Sequence, residues 1–170
     1  MADDLSIVAK DHLAYMQYAL SLAKKVLPKP TNFCVGAVLV EENANRIVST
    51  GYTMELPGNT HAEQCCLMKL GEHVQNHDEA QPRLVLYTTM EPCNQRASGN
   101  APCTEAILKT KGGVNGGIKT VYVGVQEPEI FVRENVGRSK LEGAGIEYIH
   151  VPGLEQDILT VATLGHEKKL

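Results

Sequence analysis

Cys34-Val-Gly-Ala-Val-Leu-Val40, Glu41-Glu-Asn-Ala-Asn45 and Arg46-Ile-Val-Ser-Thr-Gly-Tyr52 follow one another without a break. The first is an apolar run of strand length, the second supplies turn residues, and the third resumes a strand pattern. Together they predict a β-hairpin. Upstream, Leu13, Met16, Leu20, Ala23 and Leu27 recur at steps of three and four, the stripe of an amphipathic helix that Pro28 and Pro30 end. Downstream, a loop with Pro57, Gly58 and Asn59 leads into a helix from about His61 to at least Leu70, with Thr60 as its cap. Leu84–Thr88 reads as a buried strand, and Met90 to Pro102 as an aperiodic loop. A helix over Cys103–Lys109, a Gly-rich turn over Lys111–Gly117 and a strand over Val121–Val125 follow. Ile130–Leu141 is partly helical, Ile146–Val151 is a fifth strand, and Leu154–Leu164 is apolar-periodic and helical. Strands alternating with helices predict an α/β sandwich with at least one crossover.

The 170 residues predict one domain over 1–170, closed by a helical segment at about 153–170. Hydrophobic residues make up 43% and charged residues 21%, an ordinary globular balance. There is no Trp, so aliphatic side chains must carry the packing. Sixteen Lys+Arg against twenty Asp+Glu give a net charge of −4, which excludes a basic footprint for a phosphate backbone. A small anionic substrate stays open, because a pocket can be positive on an acidic protein. No apolar run reaches the ~20 residues of a membrane span, and the acidic start lacks the pattern of an export signal. Five Cys in such a chain read as thiols or metal ligands, and a cytoplasmic protein is expected.

Three fragments carry chemistry: His61-Ala62-Glu63, Glu91-Pro92-Cys93 and Pro102-Cys103. Each His or Cys falls at or beside a helix start or strand end, where backbone N–H groups favour a thiolate. One neutral His and two thiolates supply three corners of a Zn²⁺ tetrahedron and leave the fourth open for water. Glu63 would turn such a site into an enzyme by moving protons. Residues two apart on a helix point about 200° away from each other. His61 and Glu63 can therefore converge only at the first turn, where Thr60 as cap would put them.

His-Ala-Glu followed by Glu-Pro-Cys and a further Cys resembles the zinc-dependent cytidine deaminase superfamily. Nine residues separate Cys93 from Cys103 where the common spacing is two, an insert that resembles the deaminases of riboflavin biosynthesis. The loop Cys93-Asn-Gln-Arg-Ala-Ser-Gly-Asn-Ala-Pro-Cys103 is similar to the fungal branch. So are Thr31-Asn32 ahead of Val35-Gly36-Ala37-Val38, and Tyr122-Val-Gly-Val-Gln-Glu-Pro128 with Phe131-Val132. The resemblance implies a three-layer α/β/α sandwich around a mixed five-stranded sheet. It also implies one Zn²⁺ per chain on His61, Cys93 and Cys103, and a homodimer. The implied reaction is hydrolytic removal of the 2-amino group of 2,5-diamino-6-(ribitylamino)-4(3H)-pyrimidinone 5′-phosphate, with Glu63 as the proton carrier. Substrate contacts are expected at Asn32, Ala62 and Glu91. The polar loop with Asn94, Arg96, Ser98 and Asn100 is the candidate for the ribityl or phosphate group. The alternatives are deamination of another base or nucleoside, such as cytidine or guanine, or a zinc-binding interaction module without catalysis.

Other polar residues read more plainly. Cys34, Cys65 and Cys66 are expected to be buried thiols. His73 and His77 sit four apart and are expected to be exposed at a helix end. His12, His150 and His166 have no metal partners at useful spacing. Lys111–Thr120 imitates a phosphate loop but has one residue too many before Lys119 and precedes a strand, so it is rejected.

Overall fold

A computed structural model describes residues 6–73, 83–96, 98–110, 117–129 and 135–167. The hairpin forms as β1 (Gly36–Glu41) and β2 (Arg46–Tyr52), antiparallel, with Val38 opposite Thr50. β3 (Leu84–Met90) pairs antiparallel with β1, and β4 (Ile118–Val125) and β5 (Glu147–His150) extend the sheet in parallel. The order β2-β1-β3-β4-β5 makes a mixed five-stranded sheet, as expected. Its central strands are buried on both faces, which is why β1 and β3 are almost wholly apolar.

Helices cover both faces. α1 (His12–Ala23) lies over β1 and β3, and α5 (Glu155–Ala162) lies beside it over β4. On the other face α2 (Ala62–His73) packs on β1 and β2, α3 (Cys103–Lys109) joins it, and α4 (Gly137–Gly143) lies against β5. The helices approach closely where the sheet has no side chain. A Cβ on Gly36 would lie 1.9 Å from the Ala19 carbonyl of α1, and one on Gly51 would lie 2.2 Å from the Ala62 carbonyl of α2. Gly51 thus lets the start of α2 sit directly on the sheet.

Several expectations shift. α1 stops at Ala23, before the prolines, so Leu27 lies outside it and is 76% exposed; Met16, Leu20 and Ala23 form the buried stripe. β3 runs two residues past Thr88, because Thr89 and Met90 are also buried, and β4 starts earlier than Val121. The helix expected within Ile130–Leu141 is α4 from Gly137 on, and Phe131 and Val132 lie outside the described residues. So do His77 and most of the Lys111–Gly117 turn. Cys34, Cys65 and Cys66 are buried free thiols, as expected. His12 is a packing residue: its ring stacks on Tyr122 and its Nδ1 lies 2.8 Å from the Tyr87 hydroxyl. Among the described residues no helix is long and apolar enough to cross a membrane.

Candidate metal centre and active site

The carboxyl ends of the parallel strands β3 and β4 open onto one crevice, the place where α/β sheets of this kind hold ligands. The starts of α2 and α3 face the same crevice. His61 Nδ1 lies 3.6 Å from Cys93 Sγ and 3.4 Å from Cys103 Sγ, and the three donor atoms all lie within 4.8 Å of one another. A tetrahedron with Zn–N near 2.0–2.1 Å and Zn–S near 2.3 Å has an N-to-S edge of about 3.6 Å. The spacing fits zinc, and these three residues could hold the ion.

The sequence builds this cluster locally. His61 itself is the cap of α2: Cys65 N–H donates to the His61 carbonyl at 2.9 Å, and His61 N–H donates back to Gln64 Oε1 at 3.3 Å. Thr60 was the expected cap, but its hydroxyl donates to the Leu56 carbonyl instead. The one-residue shift matters because His61 then stands outside the helical repeat. Its ring is free to turn toward Glu63's side of the helix end, so the 200° separation does not apply. Cys93 follows β3 and reaches the start of α3 by its own capping contacts. Its Sγ accepts from Cys103 N–H at 3.3 Å, and its carbonyl accepts from Thr104 N–H at 3.0 Å. These bonds close the long insert onto the helix start, so nine intervening residues still leave two sulfurs side by side.

Electrostatics split the thiols. The Cys103 thiol and then the His61 ring beside it hold Cys93 down at about 4, despite its burial. Cys103 moves the other way, well above the usual thiol range, because Cys93 and burial both oppose a second charge. One proton therefore remains on the pair until a cation arrives, and binding a metal releases it. Glu63 is 3% exposed, and burial pushes its carboxyl up. Its Oε1 lies 3.2 Å from the Thr88 hydroxyl at the end of β3.

A cavity of about 240 Å³ opens beside these groups, lined by His61, Glu63 and Cys93. Of the expected substrate contacts, Asn32, Glu91, Arg96 and Ser98 line it. Ala62, Asn94 and Asn100 are not on that wall. Ala62 is fully buried with its carbonyl against Gly51, Asn94 Oδ1 is enclosed with no partner among the described residues, and Asn100 is exposed. Glu91 uses both carboxylate oxygens within the protein, accepting from Glu127 N–H at 2.9 Å and from the Tyr148 hydroxyl at 2.8 Å. Asn32 donates to Asn59 Oδ1 at 2.9 Å, and its carbonyl accepts from His166 Nε2 at 2.9 Å. His166 therefore braces Asn32 beside the cavity.

Sequence reasoning missed Phe33, Thr53, Asn59, Gln95 and Glu127 on this wall. Glu127 lay within reach of inference, since it follows β4 at the strand's carboxyl end inside the Tyr122–Pro128 motif. Burial, then the nearby Cys93, pushes its carboxyl up to about 7. Asn135 Nδ2 donates to its Oε2 at 2.9 Å.

Comparison with known proteins points to one family. The family model for the cytidine and deoxycytidylate deaminase zinc-binding region matches residues 9–124. A diaminohydroxyphosphoribosylamino-pyrimidine deaminase of Schizosaccharomyces pombe is 42% identical over 159 residues. That match covers 94% of this chain and 36% of the relative, so the chain spans about a third of its length. The crystal structure of the Aspergillus oryzae Rib2 deaminase, a C-terminal deletion mutant, superposes with a TM-score of 0.81 at 46% identity, covering 92% of each chain. The same deaminase in complex with DARIPP matches equally, with a TM-score of 0.81, 46% identity and 92% of each chain. A deaminase/reductase of Thermotoga maritima matches at 29% identity with a TM-score of 0.69, over 91% of this chain and 40% of its own.

Proposed function

The chain belongs to the cytidine and deoxycytidylate deaminase zinc-binding family, and from that premise we propose that it deaminates a phosphorylated diaminopyrimidinone in riboflavin synthesis. The carrying observation is the buried Glu63 carboxyl beside three convergent zinc donors, His61, Cys93 and Cys103, at the wall of one cavity. The kinship with the S. pombe deaminase and the DARIPP complex of the A. oryzae deaminase support the substrate. The expected compound is 2,5-diamino-6-(ribitylamino)-4(3H)-pyrimidinone 5′-phosphate. In the overall reaction water replaces the 2-amino group, the ring carbon becomes a carbonyl carbon, and ammonia leaves.

Zinc held by His61, Cys93 and Cys103 supplies Lewis acidity, which brings the pKa of a water toward neutrality. Glu63 does the proton work. Its buried carboxyl has a raised proton affinity, which suits it to take a proton from water and pass it to the ring nitrogen beside the reacting carbon. Returned to the carboxylate, it takes the remaining proton from the hydroxyl now on that carbon and delivers it to the departing amine, so that the carbonyl forms as ammonia leaves. Phe33, Val35 and Met90 give the wall an apolar surface that keeps bulk water from the ring. The substrate is rich in N–H donors, and Glu127 Oε1 has no partner among the described residues, so it can accept one. Asn32 and Ser98, which line the cavity, are assigned to the ribityl end on this reading. One domain over 1–170, a homodimer and a cytoplasmic location belong to the same proposal.

The test is ammonia release from the ribityl compound, with its ribosyl precursor, cytidine and guanine beside it. Turnover of the ribityl compound above the others supports the proposal. Turnover of cytidine or guanine in its place overturns the substrate while keeping the zinc chemistry.

A further inference from the structure

Arg96 sits in the loop between Cys93 and Cys103, and only 8% of it is exposed. Among the described residues no carboxylate lies within ion-pair distance of it. A buried cation without a counter-charge costs stability unless its N–H groups are satisfied. The guanidinium meets that cost with acceptors on three segments. Nη2 donates to the Asn59 carbonyl, and Nη1 donates to Gln64 Oε1 at 3.2 Å and to the Ala101 carbonyl at 3.5 Å. Nε is enclosed and has no partner among the described residues. The Nε–Nη2 edge, which could otherwise grip a phosphate with paired hydrogen bonds, is therefore closed off at Nε.

Those acceptors belong to the metal centre's supports. Gln64 Oε1 is also the atom that accepts from His61 N–H at 3.3 Å, the bond that caps α2. Asn59 accepts from Asn32 at the cavity rim at 2.9 Å. Ala101 lies two residues before Cys103. We infer that Arg96 is a positioning residue for the metal centre, clamping the insert loop to the helix start that carries His61, and not a phosphate ligand. This rests on the reading of His61, Cys93 and Cys103 as zinc donors. A planar fork can bridge three acceptors in fixed directions, which a lysine ammonium cannot reproduce.

The test is zinc affinity, measured by competition with a chromogenic chelator on the full chain, for wild type, Arg96→Lys, Gln64→Leu and Gln64→Glu. Supporting groups around metal ligands typically change affinity about 10–100-fold. Arg96→Lys and Gln64→Leu are expected to weaken zinc by roughly tenfold or more. Gln64→Glu keeps an acceptor for both partners and is expected to restore near wild-type affinity. In kinetics, Arg96→Lys is expected to lower kcat/KM by the same factor for the phosphorylated substrate and its dephosphorylated counterpart. Unchanged zinc affinity, or a loss confined to KM for the phosphorylated substrate, overturns the inference and returns Arg96 to phosphate binding. If Arg96→Lys does not fold, the two Gln64 variants decide on the same measurement. Wild type that binds no zinc would instead overturn the metal centre itself, so the two failures are separate.

Discussion

Thr88 Oγ1 lies 3.2 Å from Glu63 Oε1 and 2.8 Å from the Met90 carbonyl. The hydroxyl ties the end of β3 to the Glu63 carboxyl, which burial pushes up. On the proposed mechanism Thr88 therefore fixes where the proton carrier sits. Thr88→Val keeps the volume and removes this hydroxyl. We expect kcat to fall about tenfold, or ~1.4 kcal/mol, with zinc content unchanged and activity recovered in Thr88→Ser. Equal kcat in Thr88→Val and wild type would remove Thr88 from the account.

Gly51 sets the height of α2 above the sheet. A Cβ there would meet the Ala62 carbonyl at 2.2 Å and the Cys66 nitrogen at 2.8 Å, and both are backbone atoms. Gly51→Ala is expected to cost about 2–3 kcal/mol in urea unfolding. It should also lower zinc affinity, since His61 caps the helix that must move. An unchanged unfolding midpoint would show that the helix start has slack.

Glu127 gives a pH signature. Its folded pKa, raised to about 7 from 4.5 mainly by burial, means that the folded protein holds this proton more tightly than the unfolded chain. Its contribution to stability is full below about pH 4.5 and is lost as pH rises through about 7. Glu127→Gln should therefore gain melting temperature over wild type progressively across that window and hold the gain above it. A difference independent of pH would contradict the shift.

Chelation tests the donor set. His61, Cys93 and Cys103 come from α2's cap, the end of β3 and the start of α3, so an ion held there would join three segments. A ligand at a thousand times its Kd stabilises by about 4 kcal/mol. We expect a chelator to lower Tm and abolish turnover, and stoichiometric zinc to restore both. Turnover that survives complete zinc removal would exclude the mechanism.

The hairpin, the order of elements and the residues that cluster as possible metal donors were legible because each rests on local pattern: an apolar run, a turn cluster, a His or Cys beside a helix start. Local pattern puts the cap of α2 one residue early, at Thr60, because the choice is made by Gln64 reaching back to His61 and by Leu56 taking the Thr60 hydroxyl. Leu27 fits the helical stripe but lies beyond Ala23, where the chain turns away before the prolines. Ala62 stands inside the motif yet is buried by Gly51, a residue eleven positions away whose lack of a side chain acts across space. Glu127, Asn59 and Phe33 meet only through the sheet order and the crevice it opens. No spacing within the chain encodes that meeting.

The central claim is that Glu63 carries protons in a zinc-dependent deamination of the ribitylaminopyrimidinone phosphate. The most direct measurement compares ammonia release from that compound by zinc-loaded wild type and by zinc-loaded Glu63→Gln, with bound zinc quantified in both. Glutamine fills the same space between Thr88 and the donors but cannot shuttle a proton, so turnover should fall by at least about 10³-fold with zinc near one per chain. Substantial turnover by Glu63→Gln, with its zinc intact, would contradict the account.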